Sequence, residues 1–267
     1  MVARIFVMRS YKTTILLVLF TFIVAVTVAA TKITNISQGT ASNERQQQND
    51  NNTRRLERRN RYPAVDYDAS EPIEPEKRAA RRAKNSFYDK SGFAVKDPSP
   101  RVDEESLENE WSLYVPALPV TQSNIIIIGE ILGSEAHISN DKSGVYSEFT
   151  VRIDELLKGA KLVLNTGETL FADRTGGIVQ YSNGHKRLYS ISGQNMPRIG
   201  GKYVLFLTIS NQDQNYHILT GYELLNGKVS PLDESTRMNV YEGMDETSFL
   251  QALREAITQA SQVVPDK

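Results

Sequence analysis

The stretch that most constrains this chain is Asn124–Gly159, NIIIIGEILGSEAHISNDKSGVYSEFTVRIDELLKG. Its first half opens on the unbroken β-branched run Ile125–Ile128, which predicts a strand buried on both faces rather than a helix. Gly129 interrupts that run, and a glycine inside a strand pattern predicts a bulge or sharp bend. The second half alternates. Val145, Phe149, Val151 and Ile153 take one face while Tyr146, Glu148, Thr150, Arg152 and Asp154 take the other, the signature of a half-buried antiparallel strand. Asn140, Asp141, Lys142, Ser143 and Gly144 supply the turn between them.

Later segments read as further strands arranged around this pair. Glu168–Asp173 predicts a third, and Ile178–Tyr181 with Leu188–Ile191 predicts a small hairpin closed by a type I′ turn at Asn183-Gly184. Lys202–Ile209 and Tyr216–Leu225 follow, then a turn at Asn226-Gly227 and a short strand around Val229. The chain is expected to close on a helix with Asp245 as N-cap, docking through Phe249, Leu250, Leu253 and Ile257. The fold class is therefore mainly β: a small OB-like antiparallel barrel with a C-terminal helix, preceded by an N-terminal hydrophobic helix and a disordered linker.

The 267 residues divide into three expected parts. Residues 1–30 pair a basic leader, Arg4, Arg9 and Lys12, with the acid-free apolar run Thr13–Ala30. As a helix those residues reach roughly 27 Å, just enough to span a bilayer. Val28-Ala29-Ala30 equally suits signal-peptide cleavage, so both a membrane anchor and a cleaved signal remain open, the anchor being preferred. Either way the basic leader places the rest of the chain outside the cytoplasm. Residues 31–110 combine a Gln/Asn run, arginine clusters and the acidic Glu71-Pro72-Ile73-Glu74-Pro75-Glu76, a composition that predicts a disordered charged linker with at most a transient basic helix over Lys77–Asn85. Residues 111–267 are the expected globular domain, with an extended lead-in from Trp111 to Val120.

The pattern IIIIGEILGSEAH, YSEFTVRIDELLKG, RTGG and MPRIGGKYVLFL resembles a family of exported, mostly uncharacterised bacterial OB-like domains. It is also similar in layout to the netrin and metalloproteinase-inhibitor module, in which a strand ending in Lys-Gly and a Gly-x-Tyr-x-Leu-Phe strand recur. The resemblance covers about 124–230 and implies the fold more than an activity. Inhibitors of that layout chelate zinc through an N-terminal cysteine. This chain has no cysteine, so that route, along with disulfides and thiolate nucleophiles, is closed.

Composition narrows the function further. Residues 111–267 carry 13 basic against 17 acidic side chains, a net of −4 that argues against nucleic-acid binding. His137, His185 and His217 fall in three different elements with no metal-ligand spacing, and no nucleophile motif accompanies them. No cofactor is expected. The most site-like local sequence is Asp173-Arg174 followed by Gly176-Gly177, where paired glycines would let backbone approach a ligand and Arg174 would grip a carboxylate. Tyr181 and Tyr189, with Tyr203, Tyr216 and Tyr222, would add a platform for a glycan or peptide. The expected function is a membrane-tethered, extracytoplasmic, non-enzymatic binding module with a protein or glycan partner. An accessory or inhibitor subunit docking its barrel loops is the alternative, and a metal-dependent hydrolase built on the three histidines is a remoter one.

Overall fold

A computed structural model describes residues 53, 56–96, 102–108, 114–159, 164–209 and 215–263. The expected anchor or signal at 13–30 lies outside the described residues, and within them no helix is long and apolar enough to cross a membrane. The strands and helices named below belong to one unit, Glu57–Lys267.

The chain is mainly β, with a C-terminal helix. Two 14-residue strands, β3 (Ile125–Ile138) and β4 (Val145–Lys158), form its longest antiparallel pair, as the founding stretch predicts. Strands β5 (Thr169–Thr175), β8 (Lys202–Ile209), β9 (Tyr216–Leu225) and β10 (Lys228–Pro231) complete one sheet in the order β10-β9-β5-β4-β3-β8. β9 also pairs with β8, and it meets β5 in parallel at Ala172↔Tyr216 and Asp173↔His217. Each of β3, β4, β5 and β8 thus has two strand neighbours, and β9 has three, β10 among them.

Gly129 sits at a register shift in the β3–β4 ladder, where the neighbouring strand leaves no room for a side chain. A Cβ there would lie 2.6 Å from the carbonyl oxygen of Arg152. The run Ile125–Ile128 is buried on both faces: Ile125 and Ile127 pack with Phe149, Val151, Leu170 and Leu205, while Ile126 and Ile128 pack with Val204, Phe206 and Tyr222. The second group receives α2 (Glu246–Val263), which buries Phe249 and Leu253 against it. Asp245 caps that helix, its Oδ1 accepting from the amides of Thr247 at 3.0 Å and Ser248 at 3.3 Å.

The two Asn-Gly turns differ. Asn226 and Gly227 both have positive φ, 53° and 71°, the pattern of a type I′ turn. At Asn183-Gly184 only the glycine is left-handed, at 82°, and the Gly184 amide donates to Tyr181 O. The expected I′ turn is replaced by a longer loop with glycine in the left-handed position, because the ladder closes between Tyr181 and His185 rather than directly across the Asn-Gly pair.

The larger correction concerns the expected disordered linker over 31–110. Within it lie β1 (Ala64–Asp66), helix α1 (Pro75–Ser86) and β2 (Glu104–Leu107). With the hairpin β6 (Gly177–Gln180) and β7 (Lys186–Ile191), the two strands form a second sheet, β1-β6-β7-β2, in which both outer strands run parallel to their neighbours. The composition is polar, yet Tyr62, Tyr88, Phe93 and Val95 are buried, and β1 and β2 bond to the hairpin through their main chains. The proline-spaced acidic patch is a helix start: Pro75 stands in the first turn of α1, where its missing N–H costs nothing, and Glu76 favours the positive end of the helix dipole.

These packing constraints give a paired expectation. Gly129→Ala should lose about 1–3 kcal/mol by overpacking against the Arg152 carbonyl, whereas Gly133→Ala, whose Cβ meets nothing within 4 Å, should stay within about 0.5 kcal/mol. Urea melts of the two variants measure this, and equal midpoints would show that Gly129 is not sterically required.

Candidate binding face

The residues singled out from sequence are brought together by the structure, but as packing. Arg174 is buried and bidentate on Asp233, at 2.8 and 2.6 Å, and it also donates to the carbonyls of Asn195 and Leu219. Gly176, at φ 115°, has the close approach expected of it, though toward the protein itself: its Cβ would stand 2.9 Å from Tyr189 O. A Cβ on Gly177 would meet Val145 at 2.9 Å. Tyr181 and Tyr189 are buried with their hydroxyls 2.6 Å apart, and Tyr181 Oη donates to Val95 O. Tyr203 and Tyr222 are likewise buried, so the tyrosines form no open platform.

The adjacent Asp173 points the other way from Arg174, as alternation on β5 requires, and enters a polar cluster between the strands and α1. Register places Glu148, Asp173 and His217 side by side on β4, β5 and β9. The Asp173 side chain is fully buried; its Oδ1 accepts from Tyr88 Oη at 2.5 Å and hydrogen-bonds His217 Nδ1. From α1, Lys84 Nζ lies 3.0 Å from Asp173 Oδ2 and pairs with Glu148. Arg81 reaches Tyr146 Oη at 3.1 Å and Glu148 at 3.4 Å. Tyr146 Oη in turn donates to Asn85 at 2.8 Å, and the Tyr88 and Tyr146 rings stack at 4.0 Å.

The electrostatics follow from this closeness. Burial pushes the carboxyl of Asp173 up, but its His217 bond and the Lys84 ammonium outweigh it and leave the group below the ordinary range. Glu148 behaves alike under Lys84 and Arg81. Burial, then the Arg81 cation, lowers His137 to about 4. Burial and the Asp173 charge push the Tyr88 hydroxyl upward. His137 and His217 each keep a buried Nε2 without a hydrogen-bond partner. His185 stands apart on the β6–β7 turn, near Asp103 and Val102 O. Among the described residues no group of three or more His, Asp or Glu is placed to hold a metal ion.

Sequence reasoning missed Arg81, Lys84, Tyr88 and Glu148 as a set. The available signals were the basic run KRAARRAKN and the outward position of Glu148 on β4; what it lacked was the contact between them.

A second feature is open. A groove of about 730 Å³ runs between β1 and the outer half of β3, lined by Arg61, Asp66, Ser134, Glu135, Arg198 and Ile199 among others. β1 bonds β6 through Pro63 O and the Tyr67 amide, so by alternation the main chain of Ala64 and Asp66 faces away from β6. Ser139 bonds Gly144 across the β3–β4 turn, which by the same rule turns the main chain of Ser134 and Ala136 away from β4. β8 covers β3 only from Ile125 to Glu130. Two strand edges therefore flank the groove. Ile199 is 59% exposed beside it, and Arg61 makes no ion pair among the described residues. Arg198 is engaged by Glu223.

No protein-family model matches this chain, and no curated protein sequence matches it.

Two outcomes are expected from the buried charges. Arg174→Met should cost about 3–5 kcal/mol in a urea melt, because it strands the Asp233 carboxylate in the interior; a loss below about 1 kcal/mol would remove the pair from the structural core. His137 has its folded pKa below the unfolded value, so the unfolded chain takes up a proton first as pH falls, and stability declines between about 6.5 and 4. In His137→Gln the midpoint should vary less with pH over the upper part of that window, where Glu148 and Asp173 do not yet titrate; an unchanged slope would show that His137 is not the group responsible.

Proposed function

We propose that this chain is a non-enzymatic, extracytoplasmic binding module whose five mutually paired strands make an OB-like barrel tethered through residues 13–30. The observation that carries the binding reading is the groove between the edges of β1 and β3. An extended segment of a partner protein is the occupant it suits, since strand edges offer main-chain hydrogen bonds while Arg61 and Ile199 offer one cation and one apolar contact at the rim. The polar cluster supports a non-catalytic role. Its Asp173–His217 pair has the arrangement of a base and its orienting carboxylate, but His217 Nε2 is buried without a hydroxyl to activate.

The accessory or inhibitor reading depends on apolar side chains exposed along 176–193. Val179, Tyr181, Leu188, Tyr189 and Ile191 are buried there, which favours the groove over the hairpin as the docking surface.

Cross-linking capture from the native membrane fraction tests this, with the full-length chain as bait beside an Arg61→Glu, Ile199→Asp variant. A protein enriched by the natural chain and reduced at least about tenfold by the variant supports the groove. Equal enrichment by both baits places the interaction elsewhere, and enrichment of a glycan alone overturns the extended-peptide occupant.

A further inference from the structure

α1 is held to the strands almost entirely by polar contacts. None of its residues is buried. Arg81 and Lys84, one helical turn apart, reach down to Tyr146, Glu148 and Asp173. Its other cations are engaged within its own segment: Lys77 with Glu74, Arg82 with Glu71, and Arg78 with the carbonyls of Pro72 and Ile73. Asn140 adds a bond of 2.8 Å to the Arg82 carbonyl.

The surface beneath is complementary in a specific way. The Asp173 side chain is wholly buried and that of Glu148 only 14% exposed, and the Lys and Arg partners they have among the described residues both come from α1. With α1 lifted, Glu148 would lose both its cations, Asp173 would lose Lys84 and keep His217, and the Tyr146 hydroxyl would lose Arg81 and Asn85, so the face exposes a carboxylate-rich patch that a replacement cation would satisfy. The anchor C-terminal to the helix is aromatic. Tyr88 stacks on Tyr146 and donates to Asp173, while Phe87 stacks on His217 with ring centroids 4.5 Å apart and stays 51% exposed.

We infer that α1 is a displaceable strap, and that the face of β4 and β5 beneath it takes in its place a basic helical segment of a partner protein, with Arg or Lys at i and i+3 in its last turns and an aromatic ring at i+7, just past the helix end. That is the pattern of Arg81, Lys84 and Tyr88 in the resident occupant. This face is separate from the groove and uses other residues. α1 occludes it in cis, so the incoming segment competes with the strap, and the apparent affinity is reduced by the fraction of chains in which the strap is closed.

The test uses the full-length chain and, as probe, a fluorescein-labelled peptide of residues 71–91. Arg81→Ala with Lys84→Ala in the chain removes the strap's cations but leaves the face intact. This variant should bind the peptide saturably and at least about tenfold tighter than the natural chain, and adding Glu148→Gln should abolish the gain. Peptide binding should weaken as salt rises through the range where the Debye length shrinks from about 10 to 3 Å. Binding no tighter than that of the natural chain, or equal binding of a peptide lacking both cations, overturns the inference. Hydrogen exchange on the natural chain provides the second arm and does not depend on how the variants fold. Amides of 78–86 should exchange by a local opening that salt accelerates at least about tenfold while those of β4 do not respond. If 78–86 exchange only with global unfolding, α1 is part of the core and no strap exists.

Discussion

The bidentate pair between Arg174 and Asp233 is the interaction on which most of this structure converges. Asp233 accepts from both Arg174 nitrogens, from the Asn195 amide at 2.9 Å and from Thr220 Oγ1 at 2.8 Å, while Arg174 also donates to carbonyls of Asn195 and Leu219. One buried site thus joins β5, the segment after β7, β9 and the turn beyond β10. Two charges withdrawn from water are tolerable only when nearly every lone pair and proton is used, and the oxygens of Asp233 here are saturated. The site adds direction where apolar packing cannot: it fixes where the 193–196 segment lies. That segment in turn receives Tyr62, whose hydroxyl donates to Gln194 O at 2.9 Å, so the N-terminal segment is referred to the same point.

The strands were legible because alternation and β-branching act locally. Ile125–Ile128 needs two covered faces, and β8 and β4 with α2 provide them; Val145–Asp154 needs one, and it has it. The functional reading of Asp173-Arg174 failed for the same local reason. Neighbours on a strand face opposite sides, so a pair that looks like one site in sequence is two: Arg174 turns into the core toward Asp233, and Asp173 turns out beneath α1. The glycines after them do lie close to neighbouring atoms, but nothing in the sequence says whether atoms approaching such glycines belong to a ligand or, as here, to Tyr189 and Val145.

The order in 57–96 and 102–108 was illegible because it is not a property of those segments alone. β1 and β2 are three and four residues long, and both pair in parallel with a hairpin more than 80 residues away in sequence. A parallel partner at that distance leaves no periodic trace in a short strand. The buried anchors Tyr62, Tyr88, Phe93 and Val95 are spaced too widely to register as a helix or strand face.

The two helices show how differently one sheet can hold its neighbours. α2 is fixed by burial: Phe249 and Leu253 are fully withdrawn from water against Tyr222 and Phe206, a contact that does not depend on salt. α1 buries no residue of its own and depends on Lys84 and Arg81 meeting the carboxylates of Glu148 and Asp173, which are shielded from water where helix and strands meet. The carboxylates belong to the strands, whereas the cations that compensate them come from a separate element. An energetic debt on one element settled by another makes the face selective for a cation-bearing helix while leaving that helix exchangeable in principle. Exposed pairs such as Lys77–Glu74 and Arg82–Glu71 then keep α1 preformed within its own segment, adding little to its hold on the strands.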